Sequence, residues 1–132
     1  MNIDKDLKEQ LVNVHCYAVT PFRGPNQLEI DQDAFCSNLE YLIKSGVKVI
    51  AIGGGTGEIE ALKNSEMKLL LKTALEIANE RVLIVPSLPG NLSEAVDLLK
   101  YYESMNARIV MAAPPQLRWK IPENLDGTLE YY

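Results

Sequence analysis

The chain has 132 residues, enough for one domain with a hydrophobic core but well short of the roughly 250 residues of a closed eight-stranded parallel barrel. Hydrophobic residues make up 47% and charged residues 23%, the balance of a folded globular chain and not of a disordered or fibrous one. A formal net charge of -5 with scattered basic residues argues against a nucleic-acid surface, because phosphate binding needs clustered Lys and Arg.

Residues 1–10 alternate acidic and basic side chains without an apolar core, so they do not read as a secretory signal. No stretch approaches the roughly 18 apolar residues of a membrane span, and no membrane partner is predicted. The two cysteines, Cys16 and Cys36, lack the spacing of a zinc site. They are predicted to be free thiols in a reducing, cytoplasmic compartment, with no metal bound.

In chain order, a short helix is predicted near Asp4 to Leu11, packing outside the sheet, and a first strand over Val14 to Val19. Phe35, Leu39, Leu42 and Ile43 then recur at helical spacing, with Asp31 as N-cap and Gly46 just past the end. A second strand runs from Val47 to Ile52. Met67, Leu70, Leu71, Ala74, Ile77 and Ala78 form the apolar stripe of a second crossover helix, with Glu66, Lys68, Lys72 and Glu76 turned away from it. A third strand covers Val82 to Val85. Ala95, Leu98, Leu99, Tyr102 and Met105 mark the next helix, where Asn91 and Glu94 have capping-box character. The fourth strand spans Ile109 to Ala112, and a last helix is predicted from near Glu123 to Tyr132. All four strands are short, β-branched or apolar and read as buried. Strand and helix alternating in this way build parallel βαβ units, and no linker divides residues 1–132 into two domains.

In parallel α/β folds ligands bind beyond the carboxyl ends of the strands. The segments to inspect are Thr20-Pro21-Phe22, Gly53 to Glu58, Pro86 to Asn91, and Pro114-Pro115-Gln116. Gly53-Gly54-Gly55-Thr56-Gly57-Glu58 stands out, since glycines let the backbone approach a ligand and expose successive N–H groups to an anion. No Lys-Ser or Lys-Thr follows as in a P-loop, and the third glycine of a dinucleotide fingerprint is missing. A carboxylate or small oxyanion suits the run, and a plain tight turn is the alternative reading. Glu58 is expected to brace the loop by accepting backbone N–H bonds and not to act as a base. His15, Tyr101 and Trp119 read as packing or surface residues, and Lys44, Lys48, Lys63, Lys68, Lys72 and Lys100 as solvated or structural.

Ala18-Val19-Thr20-Pro21-Phe22, Gly46-Val47, the run Ile52 to Glu58, Leu62 and Glu66 follow one another in an order and spacing that resembles the dihydrodipicolinate synthase and N-acetylneuraminate lyase superfamily. The segment from Val85 to Asn91 resembles that family's third strand and Gly-Asn turn, and Ala112-Ala113-Pro114-Pro115 the end of its fourth. The resemblance implies the first four βα units of a TIM (β/α)₈ barrel. It also implies a class I lyase, aldolase or dehydratase, that forms a lysine Schiff base with pyruvate or a related 2-keto acid and needs no cofactor. By the same resemblance Gly55 and Thr56 bind the substrate carboxylate, with Gly54, Gly57, Glu58 and Thr20 supporting the loop. Many members carry a second threonine where this chain has Gly55, and its Gly-Gly-Thr-Gly-Glu form is closer to the 5-dehydro-4-deoxyglucarate dehydratase branch. Tyrosines often follow the fourth-strand proline in the family, whereas Pro115-Gln116 stand here. The family's fifth-strand tyrosine and sixth-strand lysine are expected beyond Tyr132.

Four βα units leave sheet edges and a would-be barrel interior uncovered. A second copy, the remainder of a longer polypeptide, or flattening into an open flavodoxin-like sheet would each relieve this, the first two fitting the family better. A homo-oligomer or a separate C-terminal half is therefore the expected partner. The alternative function is a catalytically incomplete half barrel that at most binds a keto-acid carboxylate.

Overall fold

The computed structural model describes residues 5–26 and 29–113. Helix α1 (Lys5–Leu11) leads into strand β1 (His15–Tyr17), and a small antiparallel hairpin follows, formed by β2 (Phe22–Arg23) and β3 (Glu29–Ile30). Then come α2 (Gln32–Lys44), β4 (Val49–Ile52), a 3₁₀ turn (Ile59–Ala61), α3 (Asn64–Ala78), β5 (Leu83–Leu88), α4 (Leu92–Ser104) and β6 (Met111–Ala112).

Strands β1, β4, β5 and β6 form one parallel sheet in that spatial order, with Cys16 opposite Ile50, Ile50 opposite Ile84, and Ser87 opposite Met111. Each crossover adds its strand beside the previous one, so the order never reverses. A doubly wound open sheet reverses at its switch point, whereas a barrel keeps winding one way. The sheet is therefore that of a half barrel, and the flavodoxin-like alternative is not the one adopted.

Side chains alternate across the strands. Ile50, Ile52, Ile84 and Leu88 meet Phe35 and Leu39 of α2, Leu70 and Leu71 of α3, and Leu98 and Tyr102 of α4 in the main core. Val49, Ala51, Leu83 and Val85 point the other way and form a smaller cluster with Leu7, against which Leu11, Ile109 and Met111 pack. Helix α1 thus does not sit outside the sheet as predicted. Its Leu7 seats on the face that the three crossover helices leave open, because Val49 and Leu83 there gain burial from an apolar partner.

The helix ends follow the sequence cues. The Asp31 carboxylate accepts the Ala34 N–H at 3.0 Å, and Gly46 takes the left-handed conformation (φ 89°) just past the end of α2. Asn91 Oδ1 accepts from the Ser93 and Glu94 N–H groups at 3.1 and 3.5 Å. At the start of α3, Glu66 reaches back to the Lys63 N–H at 2.8 Å, a cap not read from the sequence.

Several expectations change. Only β4 and β5 are buried throughout, while His15 and Tyr17 of β1 and Ala112 of β6 are exposed, because β1 pairs on one side only among the described residues. Strand β5 runs through Pro86 to Leu88, beyond the predicted end at Val85; β6 pairs with Ser87 and Leu88, so that ladder begins after the proline. Leu99 is 44% exposed on α4, off the buried stripe assigned to it. The β2–β3 hairpin was not predicted, its two-residue strands being too short for periodicity to register. Pro114 to Gln116, Trp119 and the helix predicted from Glu123 to Tyr132 lie outside the described residues.

Candidate functional site

Residues 53–58 leave the carboxyl end of β4, on the same rim as Thr20 after β1 and Pro89-Gly90 after β5. The turn closes on itself through the Glu58 N–H to Gly55 O (3.2 Å) and the Ile59 N–H to Gly54 O (3.0 Å). Gly53, Gly54 and Gly57 are buried, while Gly55 and Thr56 are exposed.

Two of its four glycines, Gly53 and Gly57, are demanded by backbone geometry, and Gly54 is closely packed by side chains. Gly53 has φ 60°, where a side chain is strained, and a Cβ there would lie 2.9 Å from Met67 Sδ. A Cβ on Gly54 would meet Met111 Cε at 2.8 Å and Ser87 Oγ at 3.1 Å. One on Gly57 would press on the backbone of Gly53 (3.0 Å) and on Ala18 O (3.2 Å). Gly55 differs, for nothing lies within 4 Å of its Cβ position and its φ is not left-handed.

Neighbouring strands hold the turn. The buried Thr20 hydroxyl donates to Gly57 O at 2.7 Å, joining positions 37 residues apart, and the Ala18 N–H donates to Ala51 O at 2.9 Å. From the other side the buried Ser87 hydroxyl donates to Ile52 O at 2.9 Å, and the Tyr102 hydroxyl donates to Ser87 O at 3.1 Å. Burial pushes the Tyr102 phenol well above its ordinary pKa, so it is a neutral donor. Ser87 and Tyr102 were not among the site residues read from the sequence; Tyr102 appeared only as part of an apolar stripe, and nothing local marks either residue as touching the turn.

What remains open is the turn's outer edge. Among the described residues, the Gly55 and Thr56 N–H groups and the Thr56 hydroxyl have no protein partner. They are donors on two exposed residues of a rim that the surrounding hydrogen bonds hold in shape. The Glu58 carboxylate, expected to brace the loop, accepts no hydrogen bond among the described residues. Glu58 contributes through its backbone instead: its left-handed φ of 64° turns the chain into the 3₁₀ segment, and its carbonyl accepts the Ala61 N–H at 2.8 Å.

The remaining titratable groups stand apart. Lys68 is held by Asp97 at 2.8 Å and lies 5.5 Å above the Tyr101 ring, tying α3 to α4. Lys44 pairs with Glu40 at 3.9 Å, and no described strand carries a lysine. His15 Nε2 lies 3.0 Å from Leu11 O on the surface. The described residues contain no group of three or more His, Cys, Asp or Glu able to hold a metal, and no described helix is long and apolar enough to cross a membrane.

Comparison with known proteins adds an independent line. A family model described as the dihydrodipicolinate synthetase family matches residues 10–130. A probable 5-dehydro-4-deoxyglucarate dehydratase of Bacillus subtilis is 31% identical over 101 residues, covering 76% of this chain and 32% of that protein. A 4-hydroxy-tetrahydrodipicolinate synthase of Rickettsia typhi is 37% identical over 98 residues, covering 74% of this chain and 32% of that protein. The crystal structure of dihydrodipicolinate synthase from Bacillus clausii superposes with a TM-score of 0.83 at 25% identity, covering 96% of this chain and 41% of that one. The chain spans about a third of the length of the curated relatives it matches.

Proposed function

Because the chain belongs to the dihydrodipicolinate synthetase family, we propose that it supplies the carboxylate-binding half of a Schiff-base lyase acting on pyruvate or a related 2-keto acid. The observation that carries this reading is the set of unclaimed donors on exposed residues, the Gly55 and Thr56 N–H groups and the Thr56 hydroxyl, on a turn braced by the segment after β1 and by β5. Donors fixed before the ligand arrives need no reorganisation to meet a carboxylate, and they hold the adjacent ketone in place for attack.

In the chemistry proposed, a lysine amine adds to the C2 ketone of the acid and water leaves, giving an iminium that withdraws electrons from C3. Gly55 and Thr56 hold the C1 carboxylate while this happens. The absence of lysine from the described strands supports a nucleophile contributed from outside this chain's four βα units, by further polypeptide or another chain. The sequence relatives include both a dehydratase and a synthase.

The test is ligand-observed NMR with pyruvate on the chain itself, with Thr56→Val as the control. Saturation transfer that Thr56→Val weakens about ten-fold is expected. No transfer from the folded wild-type chain would overturn the carboxylate site.

A second reading rests on the same lack of a strand lysine: the chain binds a keto acid without turning it over. Borohydride added with pyruvate, followed by intact mass, tests what both readings share, a chain that does not itself carry the nucleophile. An adduct on this chain would place the nucleophile within it, against the expectation of an unshifted mass.

A further inference from the structure

Beside the Tyr102 phenol, Thr20 and Ser87 are the only buried polar or charged side chains among the described residues, at 6% and 1% exposure. Thr20 follows β1 and Ser87 lies on β5, yet both hydroxyls are spent on the same segment. Thr20 donates to the carbonyl of Gly57, near the end of the glycine turn, and Ser87 to the carbonyl of Ile52, just before its first glycine. A buried hydroxyl costs free energy unless it is bonded, so a sheet without this task would favour an apolar residue at each position.

Thr20 belongs to the turn's expected support, but Ser87 does not. Its oxygen also sits 3.1 Å from the Cβ position of Gly54, so the turn packs directly on it. Its own carbonyl is held at 3.1 Å by the Tyr102 hydroxyl, whose ring is 1% exposed in the core between α4 and the sheet. The chain of contacts runs from α4 through β5 to the end of β4, and there the backbone turns toward the Gly55 and Thr56 donors.

We propose that Ser87 is a positioning residue for the carboxylate-binding turn: its hydroxyl fixes the Ile52 carbonyl and thereby the direction in which the Gly55 and Thr56 N–H groups point. Tyr102 sets Ser87's backbone and contributes to stability without aiming the turn. The binding part of this inference rests on the keto-acid reading above; the aiming of the turn does not.

Two variants separate positioning from plain stability. Ser87→Ala removes the hydroxyl that reaches Ile52, while Tyr102→Phe removes the bond to the Ser87 carbonyl and leaves the Ser87 hydroxyl in place. Both are expected to lower the melting temperature. Only Ser87→Ala is expected to shift the ¹H–¹⁵N resonances of Gly54, Gly55 and Thr56 and to weaken pyruvate binding, by about five-fold for one lost hydrogen bond. Ser87→Cys, with a weaker donor of similar shape, should fall between Ser87→Ala and wild type.

Unshifted turn amides in a folded Ser87→Ala chain overturn the proposal whatever pyruvate does. Equal shifts in Ser87→Ala and Tyr102→Phe overturn it as well, reducing Ser87 to general packing. If wild type binds no pyruvate but Ser87→Ala alone moves the turn amides, the positioning stands and the keto-acid reading falls.

Discussion

At the scale of single residues, the glycine turn separates what backbone geometry requires from what it does not. A methyl group on Gly57 would press on the backbone of Gly53 and on Ala18 O at 3.0 to 3.2 Å, and backbone cannot rotate out of the way. Gly57→Ala should therefore cost about 1–3 kcal/mol, lowering the melting temperature by several degrees in a thermal scan. Gly55→Ala meets no atom within 4 Å and no left-handed φ, so it should be neutral within about 0.5 kcal/mol or slightly stabilising through the unfolded chain. Equal losses from the two would show that the turn is shaped differently from the one described. Thr56→Val keeps the side-chain shape and removes a donor, so pyruvate binding by ligand-observed NMR should weaken about ten-fold with the melting temperature little changed. The glycines and Thr56 were legible because their residue types are rare in such a run. The hydroxyl pair that fixes them was not, since Thr20 and Gly57 are 37 residues apart and Ser87 and Ile52 are 35 apart.

At the scale of elements, periodicity located the three crossover helices because each has one face to bury against one sheet. Phe35, Leu39, Leu70, Leu71 and Leu98, all read as core, are buried to 1% exposure or less. Caps were legible for the same local reason, and Asp31→Ala should cost about 1 kcal/mol by leaving the Ala34 N–H without its acceptor, measured by urea unfolding. Between helices, Arg81 of the loop after α3 donates to Glu40 of α2 at 2.6 Å, and Lys68 of α3 to Asp97 of α4 at 2.8 Å. These bonds hold both carboxyls below their ordinary pKa values, chiefly through the donated hydrogen bond. A carboxyl whose pKa is lower folded than unfolded adds stability that is complete above the ordinary carboxylate range and is lost as pH falls through the lowered value. Stability should therefore decline on acidification from pH 7 to 3, with Glu40→Gln showing a smaller decline than wild type in pH-resolved urea melts. The effect is small because both carboxyls are solvent-exposed. The β2–β3 hairpin escaped sequence reading because its pairing depends on tertiary contacts, with Phe22 packed against the core and the Asp31 N–H bonded to Pro21 O at 2.9 Å.

At the scale of the whole molecule, the winding of the sheet governs what the chain can do alone. Among the described residues β1 offers an unpaired edge, Tyr17 and Val19 beside it are 48% and 51% exposed, and Leu92, Val96 and Leu99 line an exposed face of α4 at 65%, 43% and 44%. Apolar surface of this kind associates, so sedimentation of the chain by itself should show species above monomer mass, and a clean monomer at high concentration would contradict that expectation. The sequence by itself determined the alternation of strands and helices, the caps at Asp31 and Asn91, the family and the glycine turn, because each is written in neighbouring residues or in an ordered motif. Tertiary structure alone decided that the sheet winds one way, that Leu7 of α1 packs against its second face, and that two buried hydroxyls, one following β1 and one on β5, grip the ends of one turn. Those outcomes depend on contacts between residues that are neighbours in space and not along the chain.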